Sequence, residues 1–265
     1  MTKIALDDLV LQQVRRLNRM LAWLPRFKVA NRFAPVLVQA LLRLSQVGAD
    51  GRMTRRGVRI AHLVAEADGL RVPVRVLRPA GPVRAVVLDI HGGGWVLGNP
   101  RLDDPHNAAL VGACQVAVVS VDYRLLPRVP LQASMDDCLA AARWLLKGGI
   151  GEFDGLPVFI LGESAGAHLA ATVLLRLRSE PALLARLAGA VLYYGVYDLG
   201  GTPRWREVAE VELHVLPEAP HGFLRFPTPL AHIVPARTHA WIRERIASTQ
   251  DAGRRRRAAQ SVDQS

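Results

Sequence analysis

The sequence predicts an α/β domain: a mostly parallel sheet with helices on both faces. Three observations predict it. From residue 58 onward, short β-rich runs alternate with longer helical runs, the order that produces parallel strands joined by helices. Residues 85–90 are almost continuously apolar, as expected of a strand buried on both faces. Gly162-Glu163-Ser164-Ala165-Gly166 stands between an apolar run and an alanine- and leucine-rich stretch, a strand–turn–helix junction with a serine at its tip. A chain of 265 residues that is 50% hydrophobic and 22% charged can bury one large core.

The elements follow in order. Residues 4–24 place Ile4, Leu6, Leu9, Val10, Val14, Leu17, Leu21 and Leu24 at helical spacing, and Pro25 ends the helix. A second helix is predicted over 35–46, stopping before Gly48-Ala49-Asp50-Gly51. Both precede any strand, so residues 1–50 read as a helical cap on a core spanning 51–248. Residues 58–66 and 70–78, joined by Ala67-Asp68-Gly69, read as a β-hairpin forming the antiparallel edge. Strands are then predicted at 85–90, 116–121, 156–161, 187–194 and 208–216. Helices are predicted at 102–113, 131–147, 165–177 and 228–247. Residues 249–265, with Arg254 to Arg257 and no apolar period, read as a disordered basic tail.

The net charge of +11 invites a nucleic-acid reading, but the basic residues are nearly all arginine and scattered along the chain, so no nucleic-acid partner is expected. Cys114 and Cys138 lie in apolar segments without metal-ligand spacing and read as reduced thiols of a cytoplasmic protein. Asp7, Asp8, Arg15, Arg16 and Arg19 do not fit a signal peptide. The apolar run 33–42 is interrupted by Gln39 and too short to cross a bilayer. A soluble protein is expected, its apolar N-terminal helices compatible with peripheral lipid contact.

The serine junction carries the chemistry. Glycines on either side permit the strained turn that projects a hydroxyl. Composition alone produces G-x-S-x-G in roughly 5% of such chains. The run His91-Gly92-Gly93-Gly94-Trp95 after the 85–90 strand is rarer, at roughly 0.5%. Three successive glycines cost backbone entropy unless something must approach the backbone, and a developing oxyanion is such a thing. Serine also needs a base. His221, in a loop between the predicted 208–216 strand and the last helix, sits at the sheet edge that carries Ser164. His62, His106, His168, His214, His232 and His239 fall within predicted strands and helices, and His91 belongs to the glycine loop.

Together His91-Gly92-Gly93-Gly94-Trp95, Asp122-Tyr123-Arg124-Leu125 with Pro127, Gly162-Glu163-Ser164-Ala165-Gly166 and His221-Gly222-Phe223 resemble the hormone-sensitive-lipase-like α/β-hydrolases, a group rich in bacterial carboxylesterases. The resemblance covers 58–197 and resumes over 208–247. It implies the α/β-hydrolase fold, Ser164 as nucleophile, His221 as general base and acid, and an oxyanion hole framed by Gly92, Gly93, Gly94 and Ala165. It also implies a small-molecule ester of short- to medium-chain acids as substrate, and neither metal nor cofactor.

The pattern breaks at the triad acid, which in the family is an Asp in an Asp-Pro turn some thirty residues before the histidine. That turn is absent, and the penultimate strand with its helix is missing around 200–206. Residues 195–207 are also a poor link for a parallel crossover, which usually contains a helix, because Gly200, Gly201 and Pro203 argue against one there. A displaced strand would move His221 by about 4.8 Å and mis-set the site. Asp198 is the favoured acid, with Glu207, Glu210, Glu212 and Glu218 as alternatives. The competing expectation is a degenerate hydrolase-fold small-molecule binder or an internally deleted product.

Overall fold

The computed structural model describes residues 2–23, 34–197 and 212–262. Its elements are β1 (Thr2–Lys3), α1 (Asp8–Ala22), α2 (Ala34–Ser45), α3 (Ala49–Arg55), β2 (Arg59–Ala67), β3 (Leu70–Arg78), β4 (Val86–Ile90), α4 (Asp104–Cys114), β5 (Ala117–Val121), α5 (Leu131–Leu146), β6 (Val158–Glu163), α6 (Ala165–Leu177), α7 (Pro181–Leu184), β7 (Leu187–Tyr193), β8 (His214–Val215) and α8 (Leu230–Val262).

Six strands form one sheet in the order β2-β3-β5-β4-β6-β7. The β2–β3 hairpin and the β3–β5 pair are antiparallel, while β5, β4, β6 and β7 run parallel. Side-chain alternation splits the core between the two faces. Val86, Leu88 and Ile90 of β4 join the cluster under α5 and α6, and Val87 joins the one that includes Ile242 and Ile246 of α8. The chain leaves β4 for β5 on one side and returns to β6 on the other. This reversal opens a crevice at the carboxyl ends of β4 and β6. Ile90 pairs with Gly162, so the glycine loop and the serine turn leave adjacent strands at the same level.

Four features depart from the expectations. The first helix begins at Asp8, where Asp7 caps it by accepting a hydrogen bond from the Val10 N–H at 2.8 Å. The second helix stops at Ser45 as expected, but Gly48, at φ 72°, then turns the chain into the unexpected short helix α3. Of the predicted 208–216 strand, 208–211 lie outside the described residues. Its remainder supplies only β8, which pairs with β1 in a separate two-stranded sheet rather than joining the main one. The last helix runs to Val262, so 249–262 have helical backbone where an unordered tail was expected.

Among the described residues the main sheet ends on β7, and no helix is long and apolar enough to cross a membrane. The 198–207 part of the 195–207 link lies outside them. Both cysteines are buried free thiols.

Candidate active site

Ser164 joins β6 to α6 at φ 53° and ψ −115°, a left-handed conformation that a non-glycine residue adopts only under constraint. The flanking glycines supply that constraint. A Cβ on Gly166 would lie 1.8 Å from the Ile90 carbonyl oxygen, and one on Gly162 would lie 2.5 Å from that of Gly166. The turn is therefore pressed against the end of β4, and the Ser164 N–H donates to the Tyr193 carbonyl of β7 at 2.9 Å.

His221 meets the serine directly: its Nε2 lies 2.7 Å from Ser164 Oγ. The expected displacement of the histidine by one strand spacing does not occur. The reason is that residues 212–221 do not enter the main sheet, so no strand position fixes them. The loop is held by α1 instead. Phe223 and Leu224 are buried with Val10 and Val14 of α1 and with Leu230 and Val234 of α8. Arg15 donates to both oxygens of Glu218 at 2.7 and 2.8 Å, and the Asn18 side chain donates to the Glu218 carbonyl at 2.9 Å. The Tyr194 ring packs edge-on against the exposed His221, centroids 5.1 Å apart.

The glycine loop faces this pair. A Cβ on Gly92 would lie 2.9 Å from the Glu163 carbonyl and 3.6 Å from Ser164 Cβ, so only a bare backbone fits beside the serine. Gly93 and Gly94 both have positive φ, 121° and 63°. Ala165 is the first residue of α6, whose opening N–H groups have no partner within the helix. The Asp122-Tyr123-Arg124-Leu125 motif acts as a brace. Tyr123 stacks on the buried His91 ring at 4.3 Å and donates its hydroxyl to the His91 carbonyl at 2.8 Å. Leu126 N–H donates to the Trp95 carbonyl at 2.9 Å, and Arg124 pairs with Asp137 of α5. From the other side, Gln39 of α2 binds both the N–H and the carbonyl of Gly98, at 2.9 and 2.8 Å.

Asp198, Glu207 and Glu210 lie outside the described residues. Glu212 pairs with His214 at 2.9 Å and Glu218 with Arg15, so both are engaged away from the site. Among the described residues no carboxylate pairs with His221. A buried ionic group beneath the histidine loop gave no signal in the sequence. Glu163 accepts from the Tyr194 hydroxyl at 2.8 Å and from Arg225 at 3.1 Å, and Arg225 also binds Asp103. Burial, reinforced by the Asp103 charge and opposed by Arg225, pushes the Glu163 carboxyl up to about 7. Burial likewise lowers His106. Apart from Asp103 and His106, these residues stand far apart in sequence, with no shared period to announce them.

A cavity of about 600 Å³ lies elsewhere, lined by Arg43, Asp50, His62, Arg75, Arg101 and Asp122 among others, without Ser164 or His221. Two of its arginines are already paired: Arg75 with Asp104 at 2.9 Å and Asp50 at 3.0 Å, and Arg101 with Asp50 at 3.1 Å. The chemistry of the serine pair is therefore not housed in that cavity.

Residues 87–211 match the family described as the α/β-hydrolase fold. Carboxylesterase NlhH of Mycobacterium tuberculosis is 41% identical over 123 residues, which is 44% of this chain and 38% of that protein. Hormone-sensitive lipase of Mus musculus is 30% identical over 149 residues, 54% of this chain and 18% of the lipase. Among solved structures, esterase LipW from Mycobacterium marinum superposes with a TM-score of 0.59 at 29% identity, covering 76% of this chain and 62% of that one. The chain thus matches well under half the length of these two curated relatives. Strand order, serine turn and sequence similarity agree: the chain has the α/β-hydrolase fold and, over part of its length, is similar to carboxylesterases.

Proposed function

We propose that this protein hydrolyses carboxylic esters of short- to medium-chain acids through an acyl-enzyme on Ser164. The observation that carries the proposal is the 2.7 Å contact between Ser164 Oγ and His221 Nε2. A serine hydroxyl is a weak nucleophile until a base takes its proton, and this is hydrogen-bond reach for that transfer. Ser164 Oγ attacks the ester carbonyl while Nε2 accepts its proton. The resulting oxyanion is held by the N–H of Ala165 and those of the glycine loop, where losing one donor typically costs about 3 kcal/mol. His221 then returns the proton to the departing alcohol, and a water repeats the sequence to release the acid.

Asp198 remains the proposed partner of His221, holding its tautomer and stabilising the imidazolium. Residues 1–50 are proposed to act as a helical cap, in which Leu37, Leu41 and Leu44 of α2 and the nearby Val47 present exposed apolar surface to lipid-like esters or a lipid interface. A second reading, a degenerate small-molecule binder, is favoured by one observation: no described carboxylate pairs with His221.

Turnover of chromogenic esters of increasing acyl length separates the two. The esterase reading predicts turnover that falls at long chains and is lost in Ser164→Ala. Asp198→Asn should lower kcat steeply, on the order of 10⁴-fold if it orients the imidazole as in other triads. Absent turnover, or turnover unchanged in Ser164→Ala, refutes the esterase reading.

A further inference from the structure

Beneath the loop that carries His221, three side chains from different elements converge. Asp103 ends the short turn Pro100–Asp103, His106 stands in the first turn of α4, and Glu163 ends β6. One ligating atom from each lies within 4.8 Å of the other two. Hydrogen-bond bookkeeping at this point does not close. His106 Nε2 lies 3.1 Å from the Leu224 carbonyl, which can only accept, so Nε2 carries the hydrogen and Nδ1 of the neutral ring a lone pair. Nδ1 is buried without a hydrogen-bond partner, 3.7 Å from Glu163 Oε1. Asp103 Oδ2 is also buried without a partner, on a side chain only 2% exposed. Arg225 does not relieve them, because it binds the opposite oxygens, Asp103 Oδ1 and Glu163 Oε2.

Two buried lone-pair atoms, His106 Nδ1 and Asp103 Oδ2, are therefore left without a donor, the first of them beside Glu163 Oε1, which is costly in a buried site unless a cation or a proton sits there. We propose that Asp103, His106 and Glu163 bind one divalent transition-metal cation of the zinc type. One imidazole nitrogen and two carboxylate oxygens form a borderline donor set that suits zinc and its neighbours. Calcium and magnesium prefer all-oxygen shells and more ligands than three side chains offer. The bond from Nε2–H to the Leu224 carbonyl is the kind of outer contact that fixes a metal-binding tautomer. Tetrahedral ligands about 2.1 Å from zinc lie about 3.4 Å apart, so the widest pair would close by at most about 1.4 Å. Arg225 stays on the outer oxygens. Bound there, the cation ties α4, the end of β6 and the 221–225 loop together, one residue from Ser164. The inference does not depend on ester hydrolysis.

The test compares the full-length chain with His106→Gln and Asp103→Asn after chelator stripping and dialysis against Zn2+. Elemental analysis reads the stoichiometry, thermal unfolding the stabilisation, and circular dichroism the integrity of each variant. The wild type should retain one equivalent more than either variant, and zinc should raise its Tm but not theirs. Exposed pairs such as His62 with Asp50 and His214 with Glu212 are common to all three proteins and cancel in the difference. If His106→Gln fails to fold, Asp103→Asn makes the same comparison. If neither folds, the wild type loaded with Co2+ should show the visible absorption of a low-coordinate nitrogen–oxygen site that added zinc abolishes. Equal stoichiometry in all folded proteins, no bound metal, or no cobalt spectrum overturns the proposal and leaves a proton shared between the carboxylates.

Discussion

Two neighbouring glycines separate shape from strain at the residue scale. Gly93 and Gly94 both have positive φ, but a Cβ on Gly93 would lie 2.0 Å from the Leu97 carbonyl oxygen, while one on Gly94 meets nothing within 4 Å. Gly93→Ala should therefore cost about 3 kcal/mol, combining backbone strain with a clash against main chain, and should abolish turnover by reshaping the loop. Gly94→Ala should cost only about 1 kcal/mol. Thermal unfolding and ester assays of the two variants check this, and equal losses would show that the Leu97 contact does not set the loop. Both glycines were legible in the sequence, as were Ser164 and His221, because each stands in a short run whose residue types have few other uses. The Glu163, Asp103 and Arg225 cluster was not. Its members are brought together by folding across 60 and 122 positions, and no local period records such a meeting.

The helix with the largest consequence among the elements is α1. Sequence periodicity found it, but its expected place in a cap gave no hint that it would brace the loop carrying His221. Val14 is fully buried against the segment that carries His221, and Arg15 and Asn18 grip Glu218 three residues before the histidine. Val14→Ala should cost about 2 kcal/mol of stability. It should also lower kcat more than it changes KM, because it loosens the base rather than the ester pocket. Leu37→Ala, at a position 63% exposed on α2, should shift stability by less than about 0.5 kcal/mol. Urea unfolding with steady-state kinetics on both variants distinguishes a brace from a passive cover. The strands were the best-read elements, since β4, β5 and β6 are buried on both faces and write themselves as apolar runs. β8 was misread because an apolar stretch does not say which sheet it will join.

For the whole molecule, the order of elements was enough to deduce a parallel sheet with its reactive loops at the carboxyl edge, and the structure has that topology. What sequence order could not supply was the compensation for the short link after β7. The site closes because the histidine loop bypasses the sheet and leans on the N-terminal helix. Along α8, Ile242 and Ile246 are the last buried apolar side chains among the described residues. Removing residues 252–265 should leave the unfolding free energy from urea titration within about 1 kcal/mol of the full chain and leave turnover unchanged. A larger loss would assign that end a packing partner. The central claim, that His221 activates Ser164 as a nucleophile, is tested most directly by a reactive phosphonate ester and mass spectrometry of the intact chain. One phosphonyl group is expected, on Ser164, absent from Ser164→Ala and slowed severely in His221→Ala. No adduct, or an adduct on another residue, would contradict it.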